Sequence, residues 1–194
     1  PRGLEKTISE IRSYGYKFDK SDINYSGNVW EYNDEIDAFV PPLSSVKGVG
    51  KIAMNEIIEK RPFSCIKEFL YDDNGKWRFS KVNKTALKSL CMVGAFGSIK
   101  EIKESKIKNH RQLYLAFTQE KNHDMLRKGE YGMTKAQIKN LERSGKNPSI
   151  LIDHLIDEYQ MESDWSRAQK IENYMNLTST VSNELMFPSF ITRI

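Results

Sequence analysis

The sequence is poor in the residues on which most metal and redox chemistry depends. Its 194 residues include 2 cysteines and 3 histidines. Cys65 and Cys91 lack C-x-x-C spacing and sit among apolar neighbours, so both are expected as reduced core thiols. His110, His123 and His154 stand apart from one another and from any Cys or Glu at ligand spacing. That excludes the usual zinc sites and gives no reason to expect a metal or cofactor. No apolar run reaches the ~18 residues that a membrane-spanning helix needs. The chain opens Pro1-Arg2-Gly3 with no signal-peptide core behind it, so a processed or excised cytoplasmic chain is expected. Nucleophile elbow, P-loop and H-E-x-x-H patterns are missing too. So is the carboxylate set of two-metal phosphoryl transfer, and Asp34, Glu35 and Asp37 read as a solvated loop tip. No catalytic residue can be assigned.

What is present is charge, unevenly spread. The net charge is +4 and the mean hydropathy −0.61, a polar globular balance. Lys76, Arg78, Lys81, Lys84, Lys88, Lys100, Lys103, Lys106, Lys108 and Arg111 face only Glu101 and Glu104 in the middle of the chain. From Asp153 to Glu172 acids outnumber bases. A basic middle can neutralise phosphates and an acidic end cannot.

The most informative stretch is Leu43–Arg61, LSSVKGVGKIAMNEIIEKR. It reads as a short helix, a tight Gly-Val-Gly turn and a second helix, with Gly48 and Gly50 supplying the positive φ of a sharp corner. Ile52, Ala53, Ile57 and Ile58 form the expected buried face of the second helix. Its first amides would point outward beside Lys47 and Lys51, which makes a phosphate site. This pattern is a helix-hairpin-helix, which grips a nucleic-acid backbone without reading bases. The competing reading is a helical corner whose glycines serve packing alone. Lys51 could act in a base-excision enzyme, but it lacks a well-placed acidic partner.

Around this stretch the expected fold is mainly α. Residues 1–42 read as an N-terminal helix, Leu4–Tyr14 with Thr7 and Glu10 at capping-box spacing and Gly15 as its stop, then a small β segment. That segment pairs Val29–Tyr32 with Ile36–Val40 around Asn33-Asp34. The helix-hairpin-helix region spans 43–108, with a short helix capped by Ser64 and another opening at Lys81–Lys84 and stopping at Gly94. Residues 109–194 read as a helical extension: Asn109–Arg127, Thr134–Arg143, Pro148–Met161 and Asp164–Asn176.

The run Ile11–Asn24, IRSYGYKFDKSDIN, followed by Ser26, resembles the R-x-x-G-I-x-V-x-P-P-D-I-N-x-S segment of bacterial family C replicative polymerases, the DNA polymerase III alpha subunits. Leu43–Arg61 is similar to that family's helix-hairpin-helix. Phe63, Ile66 and Phe69 match its next block, and Val82-Asn83-Lys84 with Leu87, Leu90 and Gly94-Ala95-Phe96 the one after. The likeness covers Glu5 to Ile99, in the family's order. Asp19-Lys20-Ser21 replaces the usual Pro-Pro, and Gly97 stands where Asp follows Phe96, which fits a phage or otherwise divergent relative.

The resemblance implies a non-catalytic part of a DNA-directed DNA polymerase, a nucleotidyltransferase, holding duplex DNA behind palm and fingers. The palm aspartates are absent from this chain. Lys47, Gly48, Val49, Gly50 and Lys51 would hold one phosphate, and Asn83 and Lys84 a second. Trp165 with Glu172 resembles the family's Trp-Glu element, and Asn183–Phe187 its sliding-clamp pentapeptide, with Met186 and Phe187 as anchors. The preferred reading of Phe187 is nevertheless a core side chain. Two other functions compete: a stand-alone DNA repair enzyme of the glycosylase or nuclease class, and a module that binds other replisome proteins.

Overall fold

The computed structural model describes residues 2–145 and 151–178. Helix α1 (Arg2–Ser13) leads into an antiparallel hairpin of β1 (Glu31–Asn33) and β2 (Ala38–Val40). A single 3-10 turn, Leu43–Ser45, precedes α2 (Lys51–Lys60), α3 (Ile66–Leu70), α4 (Lys84–Met92) and α5 (Lys100–Lys103). Then come α6 (His110–Thr118), α7 (Asn122–Leu126), α8 (Lys135–Arg143), α9 (Leu151–Glu158) and α10 (Arg167–Leu177). The chain is mainly helical with one small N-terminal hairpin, as its sequence leads one to expect. No helix among the described residues is long and apolar enough to cross a membrane.

Several expected boundaries move, each for a local reason. Thr7 does not open a capping box with Glu10. It lies inside α1, and its hydroxyl donates to the Gly3 carbonyl, so the helix begins earlier. Asn33 pairs with Ala38 and its side-chain oxygen accepts the amides of Glu35 and Ile36, which moves the β-turn to Asp34–Asp37. Ser64 does not cap α3; Cys65 occupies that position, half-buried rather than in the core, and the Ser64 amide donates to Glu68. The long helix expected over 109–127 is broken after Thr118. Buried Asn122 donates from its carboxamide to the Leu115 carbonyl near the end of α6, and Glu120 takes φ +43. A side chain that satisfies a helix-end carbonyl competes with helix continuation.

The Asp22-Ile23-Asn24…Ser26 run forms a knot. Asp22 accepts the Asn24 amide at 2.8 Å, the Ser98 amide at 2.9 Å and the Ser98 hydroxyl at 2.6 Å. Asn24 exchanges hydrogen bonds with the Phe63 backbone in both directions, and Arg61 donates to the carbonyls of Asn24 and Ser26. The knot ties the stretch before β1 to the residues just before α3 and just before α5. Burial pushes the Asp22 carboxyl up, against the pull of Ser98, the two amides and Lys20.

One core runs through the described residues from Ile23 to Tyr174. Its centre is α4, whose Ala86, Leu87, Leu90 and Cys91 are fully buried and whose Gly94 stop takes φ +75. Helix α4 packs on α6, and α6 on α9. A column of aromatic rings threads these layers: Phe69 lies 5.2 Å from Phe63 and 5.1 Å from Phe96, and Phe96 lies 5.8 Å from Phe117.

Candidate nucleic-acid interface

The element opened by Leu43 is a hairpin in which the first helix is reduced to one 3-10 turn. Pro42 precedes it, and the amides of Ser45 and Val46 return to the carbonyls of Pro42 and Leu43. The Val49 amide then closes on the Val46 carbonyl at 3.0 Å, and both valine side chains plug into the core. The turn is fixed from beneath.

Its two glycines do different work. Gly48 takes φ +91, and a Cβ there would stand 3.0 Å from the Ser89 hydroxyl and 3.1 Å from the Thr85 methyl on α4. It is required by backbone and packing alike. Gly50, expected to share that conformation, does not: it is the N-cap of α2 with φ −69 and ψ 159, angles open to any residue. A Cβ there would meet nothing within 4 Å. Glycine at 50 therefore answers no demand of the fold and leaves the mouth of α2 free of side chains. The amides of Gly48 and Gly50 find no partner among the described residues, and the first amides of α2 have none within the helix. Partial positive charge collects there, flanked by the exposed side chains of Lys47 and Lys51.

Helix α2 buries Ala53, Met54 and Ile57. Ile58 packs at the edge of the core. Ile52, expected in the buried face, is 62% exposed at the rim of the turn beside Lys51. The sequence pattern hid this because an apolar residue at a helix start fits the core stripe equally well.

Asn83 and Lys84 sit at the start of α4, where the Asn83 side-chain oxygen accepts the Ala86 amide at 3.0 Å. This helix end is already capped, unlike that of α2. Lys84 donates to the Glu120 carbonyl at 3.2 Å. The seating of Gly48 on Thr85 and Ser89 brings α4 beside the hairpin, with exposed Lys84 and Lys88 next to those contacts. Glu56 ties α2 to the segment that leads into α4: its carboxylate accepts the Ser80 amide at 3.1 Å, the Lys81 amide at 2.9 Å and the Ser80 hydroxyl. Burial pushes this carboxyl up, but the Ser80 hydroxyl, the two amides and Lys60 outweigh it and hold it below the usual glutamate range. Sequence spacing gave no sign of this bridge across 24 residues.

Among the described residues no three His, Cys, Asp or Glu side chains gather as a metal centre. His110 is pushed down to about 3 by burial, with Lys20 and Lys170 adding to the effect, and stays neutral. Met186 and Phe187 lie outside the described residues.

The model of the helix-hairpin-helix motif family matches residues 15–106, from the α1 stop through α5. The chain is 32% identical over 120 residues to the DNA polymerase III subunit alpha of Chlamydia muridarum, covering 60% of this chain and 9% of that protein. It is 32% identical over 94 residues to the subunit of the same name from Thermotoga maritima, covering 48% of this chain and 10% of that one. The chain thus spans about a tenth of the length of these curated relatives. Residues 15–106 carry a helix-hairpin-helix motif, and the chain resembles DNA polymerase III alpha subunits over a part of their length.

Proposed function

We propose that this chain binds duplex DNA through its phosphate backbone, without sequence preference, as a non-catalytic part of a replicative polymerase of the DNA polymerase III alpha type. The observation that carries the reading is the bare mouth of α2: a glycine that the fold does not require, amides unpartnered among the described residues and two flanking lysines. Lys47, Gly48, Gly50 and Lys51 hold one phosphate, whereas Val49, expected among them, has its amide on the Val46 carbonyl and its side chain in the core. Asn83, through a carboxamide NH₂ with no partner among the described residues, and Lys84 approach a second on the neighbouring turn of backbone. The family-model match and the named relatives support the same reading. Polymerisation itself belongs to other parts of such an enzyme.

The test is a titration of a labelled duplex at several salt concentrations. The expected dissociation constant is roughly 10⁻⁴ to 10⁻⁶ M near physiological salt, with log affinity falling linearly in log salt. Affinity should not depend on base sequence. A salt-independent response, or no binding at low salt, overturns the proposal.

A further inference from the structure

The hairpin is not closed by its own region of the chain. The Lys47 amide donates to the Leu177 carbonyl at 2.7 Å, and Val46 pairs with Thr178 in an antiparallel bridge. Both partners come from the end of α10, far beyond the residues 15–106 that match the motif family. Thr178 is 5% exposed and Tyr174 4%, and the Thr178 amide and hydroxyl both return to the Tyr174 carbonyl. Helix α10 also packs on α4, the helix against which Gly48 rests. The turn is therefore held on two sides, by α4 under Gly48 and by the end of α10 along Val46–Lys47.

We infer that Leu177–Thr178 is a positioning element of the DNA-binding hairpin, fixing the backbone at Val46–Lys47 so that the turn amides and the Lys47 side chain point together at one phosphate. The inference rests on the reading of the hairpin as a phosphate site. Its physical basis is preorganisation: a turn already set in its bound shape loses less freedom when phosphate arrives. Neither residue touches DNA, so the number of phosphates neutralised does not change when the brace is loosened. By linkage, a partner that grips the end of α10 and pulls it from Val46 would weaken DNA binding, and DNA would weaken that partner by the same factor.

Three full-length proteins test this: wild type, Thr178→Gly, which loosens the strand-like segment, and Thr178→Val, which keeps its β-branched shape opposite Val46. Amide hydrogen exchange is read first, without DNA. The Lys47 amide should be protected in wild type and in Thr178→Val and exchange faster in Thr178→Gly, while Leu90 in α4 keeps its protection in all three. Duplex titration follows. Thr178→Gly should bind about fivefold more weakly, the scale of one net hydrogen bond, with an unchanged salt slope, and Thr178→Val should bind as wild type. An unprotected Lys47 amide in wild type overturns the brace. So does equal affinity of wild type and Thr178→Gly, or a loss in Thr178→Gly matched by equal loss of protection at Leu90. Failure of wild type to bind any duplex instead overturns the phosphate-site reading and leaves the exchange result to judge the brace.

Discussion

The two glycines of the turn make opposite predictions although one residue separates them. Gly48→Ala places a Cβ at φ +91 and against Ser89 and Thr85, and should destabilise the fold by about 1–3 kcal/mol. Gly50→Asp adds a side chain in open space at extended angles, where aspartate is a good N-cap. Denaturant midpoints should show stability unchanged or raised by a few tenths of a kcal/mol, about the difference between the two residues as caps. Duplex titration should nevertheless show a loss of at least about tenfold, because a carboxylate now fills the space proposed for phosphate. Lys51→Ala should leave the midpoint within about 0.5 kcal/mol and reduce the salt slope by about one. An equal fall in affinity for the distant exposed Lys139→Ala would show that bulk charge, not a site, governs binding.

At the element scale, Glu56 couples α2 to the segment that leads into α4. Its carboxyl lies below the ordinary glutamate value, so it contributes stability above that value, near pH ~4.3, and the contribution disappears as pH falls through the folded value. Asp22 has the opposite sign: its carboxyl is raised, so its contribution is full below the ordinary aspartate value and is lost as pH rises through the folded one. In Glu56→Gln, denaturant midpoints between about pH 3 and 6 should fall less steeply with acid than in wild type, since the depressed carboxyl is gone while Asp22 remains. Much of this element structure was legible in the sequence. The Gly15 and Gly94 stops and the start of α8 at Thr134 are local signals that tertiary contacts did not overrule. What could not be read were two long-range satisfactions, Glu56 on residues 80–81 and Leu177 on Lys47, and one local one, Asn122 turning back on Leu115 after α6. The first two are polar groups answered across the fold, and no spacing rule encodes that. The exposure of Ile52 and the extended Gly50 were missed for a related reason, because periodicity reports residue type and not what lies beyond the helix end.

At the scale of the molecule the aromatic column matters most. Phe117 is fully buried at its far end, so Phe117→Ala should cost about 3–5 kcal/mol, seen as a lower melting temperature in a calorimetric scan. Duplex affinity measured well below that temperature should change little, since the turn rests through Gly48 on Thr85 and Ser89 of α4 and not on Phe117. The same column bears on how such a motif can be dissected and transplanted. Phe96 belongs to the stretch matched by the motif family and Phe117 does not, yet they share a ring contact. A fragment trimmed to residues 15–106 would expose one half of an edge-to-face aromatic pair and lose Leu177 from the turn as well. Such an excised unit would be sticky and loosely shaped, so the useful cut for grafting this helix-hairpin-helix module into another protein lies beyond Thr178, well past the point where sequence similarity to the motif ends.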